Sequence, residues 1–319
     1  MVAAAVLLGI VSVARAQSVE ELKRAIAERD AIILELRQKL EAKERAPAPR
    51  TGTTPGVPAP SAEEDEELGR ALERALVQQG GLLLRAGTYE LQPETSYANW
   101  DAARGPARYA VGAALSLRAG LPWESQFQLR VPYVHVATAA GSAIALGDID
   151  LSLSKQLARE SPGVPGLIAS LGWTGRTGRD GFDGRVATGG GFNVVQGGLT
   201  AVKRSDPLML YGGVSYAVPL SRQVAGTEIA PGNTFGLRLG TILAANPDTA
   251  VNLGMNFGFV RPTRQNGQAV PDSDTVFGTL QIGVGTVLSR NVLLNVAGDI
   301  RITGNVPNFR LTLSLPIRF

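Results

Sequence analysis

The chain has 319 residues, of which 44% are apolar and only 18% charged, with a formal net charge of +3. Cysteine is absent and histidine occurs once, at His135, so disulfides and thiolate metal sites are excluded and no cofactor is expected. The small net charge makes no case for a nucleic-acid partner, and the longest apolar run, Val2 to Val13, falls short of the ~20 residues that a spanning helix needs.

From the N-terminus, Val2 to Val13 reads as the apolar core of a signal peptide over 1–16, with Ala14-Arg15-Ala16 before Gln17 as a small-x-small cleavage site. Its n-region carries no Lys or Arg, so either the α-amino group supplies the charge or translation starts upstream. Residues 17–45 read as a periplasmic coiled coil. Val19, Leu22, Ile26, Ile33, Leu36 and Leu40 fall on a and d positions, with Arg29 the one polar occupant of the seam. Three heptads are marginal alone, so the expectation is a small oligomerisation bundle, with a homotrimer as its natural form; a single solvated helix is the alternative. Residues 46–60, rich in Pro, Ala and Thr, form an extended linker.

Residues 61–84 read as an acidic amphipathic helix. Ser61 and Glu64 make a capping box, and Glu63, Glu64, Asp65, Glu66 and Glu67 occupy the first turns, where the helix dipole favours them. Leu68, Leu72 and Leu76 share one face; Gly80-Gly81 ends the helix, and Leu82-Leu83-Leu84 leads onward.

From 85 to 319 the hydrophobic period changes from 3.6 to 2. In the last segment Phe309, Leu311, Leu313, Leu315, Ile317 and Phe319 alternate with Asn308, Arg310, Thr312, Ser314, Pro316 and Arg318. Similar segments lie near 87–97, 107–120, 123–136, 146–157, 165–176, 188–203, 207–218, 231–244, 248–260, 274–288, 291–302 and 308–319. Their lengths suit tilted membrane strands, and intermediate hydropathy is what a barrel gives when only alternate residues face lipid. The expected fold is therefore an all-β transmembrane one: an antiparallel outer-membrane β-barrel of about 12 strands, preceded by the coiled-coil helix and the plug-like helix. A soluble sandwich would also alternate, but with shorter strands and charges on its outer face. Trp100, Tyr109, Trp123, Tyr133, Trp173 and Tyr211 fall near strand ends, as an interfacial girdle requires. The C-terminal Phe319, in phase with the apolar face, reads as a membrane-insertion signal for the barrel-insertion machinery.

Catalysis is not expected. His135 is the one candidate base, and it falls on the apolar phase near a strand end, where a girdle role fits. Charge is more informative: residues 61–84 carry net −4 and residues 85–319 about +5. Arg108, Arg118, Arg130, Arg238, Arg310 and Arg318 lie on the polar phase, which in a barrel faces the lumen. An acidic helix beside a basic lumen suggests a plug; the alternative is that these arginines pair with lumen acids such as Asp148, Asp150 and Asp299.

The layout resembles the FapF family, the outer-membrane exporters of the Fap functional-amyloid system. The resemblance rests on Leu68 to Leu84, with its Arg70-Ala71-Leu72-Glu73-Arg74 core and Gly80-Gly81-Leu82-Leu83-Leu84 exit. The barrel is also similar to the broader outer-membrane family named for phenol meta-pathway degradation, through Gly147-Asp148-Ile149-Asp150-Leu151. The first resemblance implies a trimeric barrel whose plug gates the passage of unfolded amyloid subunits. The sequence therefore leads to an outer-membrane transport channel, read as a plug-gated secretion pore. A gated or passive uptake porin for small aromatic or anionic solutes, and a structural barrel with a periplasmic tether, are the alternatives.

Overall fold

The computed structural model describes residues 82–100, 107–205 and 208–319. The signal peptide, the coiled coil with its Val19 to Leu40 seam, the linker, and residues 61–81 of the acidic helix with Glu63 to Leu76 lie outside the described residues. So does the side chain of Arg108.

The described chain is built from strands. β1 (Tyr89–Asn99), β2 (Ala107–Leu121) and β3 (Ser125–Thr138) form the first meander, and β3 continues into a hairpin with β4 (Gly141–Leu146). β5 (Ile149–Ala158), β6 (Gly166–Gly175), β7 (Val194–Ser205) and β8 (Leu208–Pro219) follow. Two short strands, β9 (Arg222–Val224) and β10 (Thr227–Ala230), precede β11 (Thr234–Asn246) and β12 (Thr249–Val260). Two more, β13 (Arg264–Gln265) and β14 (Gln268–Ala269), precede β15 (Thr275–Ser289) and β16 (Val292–Thr303). β17 (Phe309–Ser314) and β18 (Ile317–Arg318) end the chain.

Every long strand pairs antiparallel with its sequence neighbour, and β1 pairs with both β17 and β18, so the sheet closes on itself. β17 and β18 are one stave interrupted at Leu315-Pro316, where proline lacks an N–H for the ladder. Counted this way the barrel has twelve staves. Closure leaves no unpaired strand edge, which a sheet in lipid requires. The seam is completed by reciprocal bonds: the Phe319 N–H donates to the Tyr89 carbonyl at 2.9 Å, and the Tyr89 N–H to the Phe319 carbonyl at 3.3 Å.

The two faces are inverted relative to a soluble domain. Leu115, Leu171, Leu239, Met255 and Leu311 are exposed, whereas Glu90, Gln92, Arg118, Gln126 and Asn252 are buried. Alternation with the apolar set outward is the pattern of a barrel whose outer face meets lipid, and it disposes of the soluble sandwich. On that outer face the Tyr97 and Tyr109 rings stack at 6.5 Å, and His135 meets Tyr109 edge-on at 5.8 Å. Trp123, in the turn after β2, is 84% exposed.

The barrel ends differ. Pro122-Trp123-Glu124, Pro247-Asp248 and Arg290-Asn291 are tight turns at one end, which also holds the segment before β1 and Phe319. The other end carries the long connections 139–148, 176–193, 220–233 and 261–274. The last two form a separate small sheet in the order β14-β13-β10-β9. The segment expected over 188–203 is a strand only from Val194; residues 188–193 belong to the 176–193 loop.

Candidate functional site

The inward residues form three levels. At the tight-turn end Glu90 accepts from Arg118 Nη1 through Oε1 and from Arg318 Nε through Oε2, both at 3.0 Å. One carboxylate on β1 thus satisfies arginines from the strands on both sides. At the same level the segment before β1 enters the lumen. The Leu84 N–H donates to Gln126 Oε1 on β3 at 2.9 Å. Leu82 packs on an apolar cluster of Val202, Met209, Tyr211, Ile242 and Ala250, supplied by β7, β8, β11 and β12. These two walls face each other across the ring of staves, so residues 82–84 lie across the mouth. Gly120 makes this possible: a Cβ there would sit 2.0 Å from the Arg85 carbonyl oxygen.

The middle level is polar and divided. On one wall Arg130 lies 3.0 Å from Glu94 and 3.6 Å from Asp150, and Thr174 Oγ1 donates to Asp150 Oδ1 at 2.7 Å. On the other, Tyr211 Oη donates to Asn252 Oδ1 (2.9 Å), Asn252 Nδ2 to Gln281 Oε1 (3.2 Å), and Gln281 Nε2 to Asp299 Oδ1 (3.2 Å). Tyr211 reaches Asn252 across β11 because Gly240 and Gly254 leave room; a Cβ at these positions would lie 2.3 and 2.7 Å from its hydroxyl.

Above this level the 176–193 loop turns inward and is pinned by Asp148. Its Oδ1 accepts from the Gly178 N–H at 2.8 Å and its Oδ2 from the Gly190 N–H at 2.6 Å. Thr188 and Gly189 of that loop line a cavity of about 470 Å³ together with Arg130, Asp150, Asp299 and Arg310. Outside it, Arg222 of β9 bonds the Asp180 carboxylate at 2.6 Å and the Gly191 carbonyl at 2.9 Å, with its guanidinium 5.4 Å from the Phe182 ring centre. The hydrogen bond from Arg222, and next that from the Phe182 N–H, hold the Asp180 carboxyl below its ordinary range.

The sequence-predicted arginines thus take different places. Arg118 and Arg318 share Glu90, Arg130 bridges Glu94 and Asp150, and Arg310 lines the cavity opposite Asp299 in the β16–β17 register. Arg238 forms no ion pair among the described residues; its guanidinium lies 5.5 Å from the Tyr211 ring centre. Asp150 serves as an arginine partner, as the pairing alternative expected, while Asp148 is spent on loop backbone. Glu90 and Glu94 were missed, although their period-2 phase on β1 marks both as inward. Two expected girdle residues are corrected. Tyr211 is 4% exposed and points into the lumen, because it shares the phase of Met209 and Gly213. Trp100 lines the lumen cavity, because it continues the inward phase of Glu94, Ser96 and Ala98. Among the described residues no His/Cys/Asp/Glu group could hold a metal ion.

The closed antiparallel barrel with a polar interior defines the outer-membrane type of fold, and a known structure shares it. The COG4313 outer membrane channel from Pseudomonas putida F1 superposes with a TM-score of 0.64 at 15% identity, over 75% of this chain and 97% of that one. The NanC porin gives 0.45 at 8% identity over 72% of this chain and 98% of its own. The translocator domain of the autotransporter NalP from Neisseria meningitidis gives 0.43 at 8% over 82% and 99%. No family model matches the sequence.

Proposed function

We propose that the chain is an outer-membrane transport channel gated from the periplasm by its own N-terminal segment. The observation that carries this reading is the seat of residues 82–84 across one mouth, with Leu82 on the Met209–Ile242 wall and Leu84 bonded to Gln126. Short turns face the periplasm and long loops the outside in barrels of this type, which puts that mouth on the periplasmic side. The channel named in the Pseudomonas putida match supports transport as the activity. The acidic segment 61–81, directly upstream of that seat, is then the plug. With the 176–193 loop pinned inward, the lumen suits small polar or anionic solutes. Export of unfolded amyloid-type subunits, which the family resemblance implies, requires both the loop and the plug to leave.

The test compares single-channel currents of the mature chain with those of a chain starting at residue 85, in planar bilayers. A low or flickering current that becomes large and steady on truncation supports the gate. Equal currents would make the N-terminal region a periplasmic tether on a simple porin. Translocation of an unfolded polypeptide by the truncated form alone would favour the secretion cargo.

A further inference from the structure

The lumen walls differ in charge, and that difference points to a ligand. The cavity at Arg130 is lined by Glu94, Asp148, Asp150 and Asp299 against two arginines, Arg130 and Arg310. A second lumen cavity of about 410 Å³, formed by β6, β7, β8 and β11 with contributions from β12 and β15, has Arg238 as the one charged residue in its lining. A free anion is repelled by the first wall and attracted by the second.

The second cavity is built for donors. Ser170, Thr200 and Ser215 line it, and each sits in register opposite a glycine of the next strand: Ser170 with Gly198, Thr200 with Gly213, Ser215 with Gly236. The hydroxyl oxygens occupy the space a side chain would fill, at 2.8, 3.1 and 2.3 Å from the Cβ positions those glycines lack. The Gln196 and Asn256 amides complete the lining. Arg238 is positioned without being neutralised, since it rests on the Tyr211 ring and Tyr211 is itself fixed by Asn252. A guanidinium is a rigid fork that matches a carboxylate with two parallel hydrogen bonds.

We propose that this wall binds one small carboxylate anion, its oxygens on the Arg238 guanidinium and the neighbouring hydroxyls. The proposal rests on the transport reading by deepening it to a solute class: a monoanion, whose single charge the lone arginine balances.

The test is equilibrium dialysis of the full chain, refolded in neutral detergent at low ionic strength, against radiolabelled acetate and, separately, inorganic phosphate. Folding of each variant is checked by the heat-sensitive shift in gel mobility. Expected is saturable binding of one acetate per chain, weakened about tenfold or more in Arg238→Gln, as loss of a charge-assisted pair requires. Arg238→Lys, which keeps the charge but not the fork, should fall between the two, and Arg159→Gln, in an exposed turn, should bind like the parent. No saturable acetate binding, equal binding by folded Arg238→Gln, or preference for phosphate would each overturn the proposal. Currents from the same preparations and from the chain starting at residue 85 separate the two ideas: Arg238-dependent binding with no conductance even in the truncated chain sinks the channel and keeps the site, and conductance of the truncated chain without such binding in the full chain does the reverse.

Discussion

Glu90 and Arg318, 228 positions apart in sequence, meet at 3.0 Å across the seam that closes the barrel. The second oxygen of Glu90 holds Arg118 of β2, so the carboxylate ties the first stave to both of its neighbours. It is 1% exposed, and Arg118 is nearly as deep. Removing the acid strands two inward guanidiniums close together. Glu90→Gln should therefore destabilise the barrel by about 3–5 kcal/mol, the range for breaking a buried ion pair from one side. Urea unfolding in lipid vesicles reads this directly. Arg318→Gln should do less, because Arg318 keeps 20% of its side chain open to solvent; an equal loss in the two variants would count against Glu90 as the shared centre.

Asp148 fastens the inward loop through two backbone N–H groups at opposite ends of it, Gly178 and Gly190. Hydrogen bonds to an ionised acceptor contribute about 1.5–3 kcal/mol each. Asp148→Ala should speed amide exchange at Gly178 and Gly190 by about tenfold or more, with protection in β6 and β7 unchanged. Gly189→Ala should act in the same way, since its Cβ would fall 2.3 Å from Asp148 Oδ1. Unaltered exchange in both variants would mean that the loop is held by other contacts.

The twelve staves were legible because a barrel in lipid writes its fold in period 2: the Phe309 to Phe319 alternation, and its repeats, mark strand and facing together. Facing failed where local pattern and tertiary role part. Tyr211 looks like a girdle residue by type and position, and only pairing with β11 shows that Gly240 opens a path for it to Asn252. The inward phase of Arg118 was visible, but its partner was not, because the Glu90 contact joins residues 28 apart through strand register. Asp148 drew notice through the Gly147-Asp148 strand start, yet its use depends on a loop some 30 to 42 residues downstream. The outer sheet of β9, β10, β13 and β14 gave no signal, because strands of two to four residues carry too few alternations.

Acid should loosen the outer loops. Arg222 holds the Asp180 carboxyl below its ordinary range, so the folded state binds the proton more weakly than the unfolded one. The stabilisation is then fully present above the ordinary Asp value of about 3.9 and is lost as pH falls through the depressed folded value. Loop protection measured by hydrogen exchange at Phe182 and Gly191 should be flat from neutral pH to about pH 4 and fall below it. Arg222→Gln should remove that dependence and leave the loops loose throughout. A parent protein whose loops open already near pH 6 would show that another group controls them.

The gate itself turns on one apolar contact. Ile242 is 0% and Met209 1% exposed although both point into a lumen, and Leu82 is packed against their cluster. Placing a carboxylate there sets an unpaired charge against an apolar wall, a loss of several kcal/mol that the segment escapes by leaving. Leu82→Asp should therefore raise the conductance of the full-length channel toward that of the chain starting at residue 85. Ile242→Asp, which alters the wall and not the segment, should open it to a similar extent. If both act by breaking the same contact, the double variant will conduct no more than either alone, because coupled residues are not additive. Additive opening would mean that Leu82 and Ile242 hold different parts of the mouth, and an unchanged Leu82→Asp current would show that residues 82–84 line the lumen without closing it.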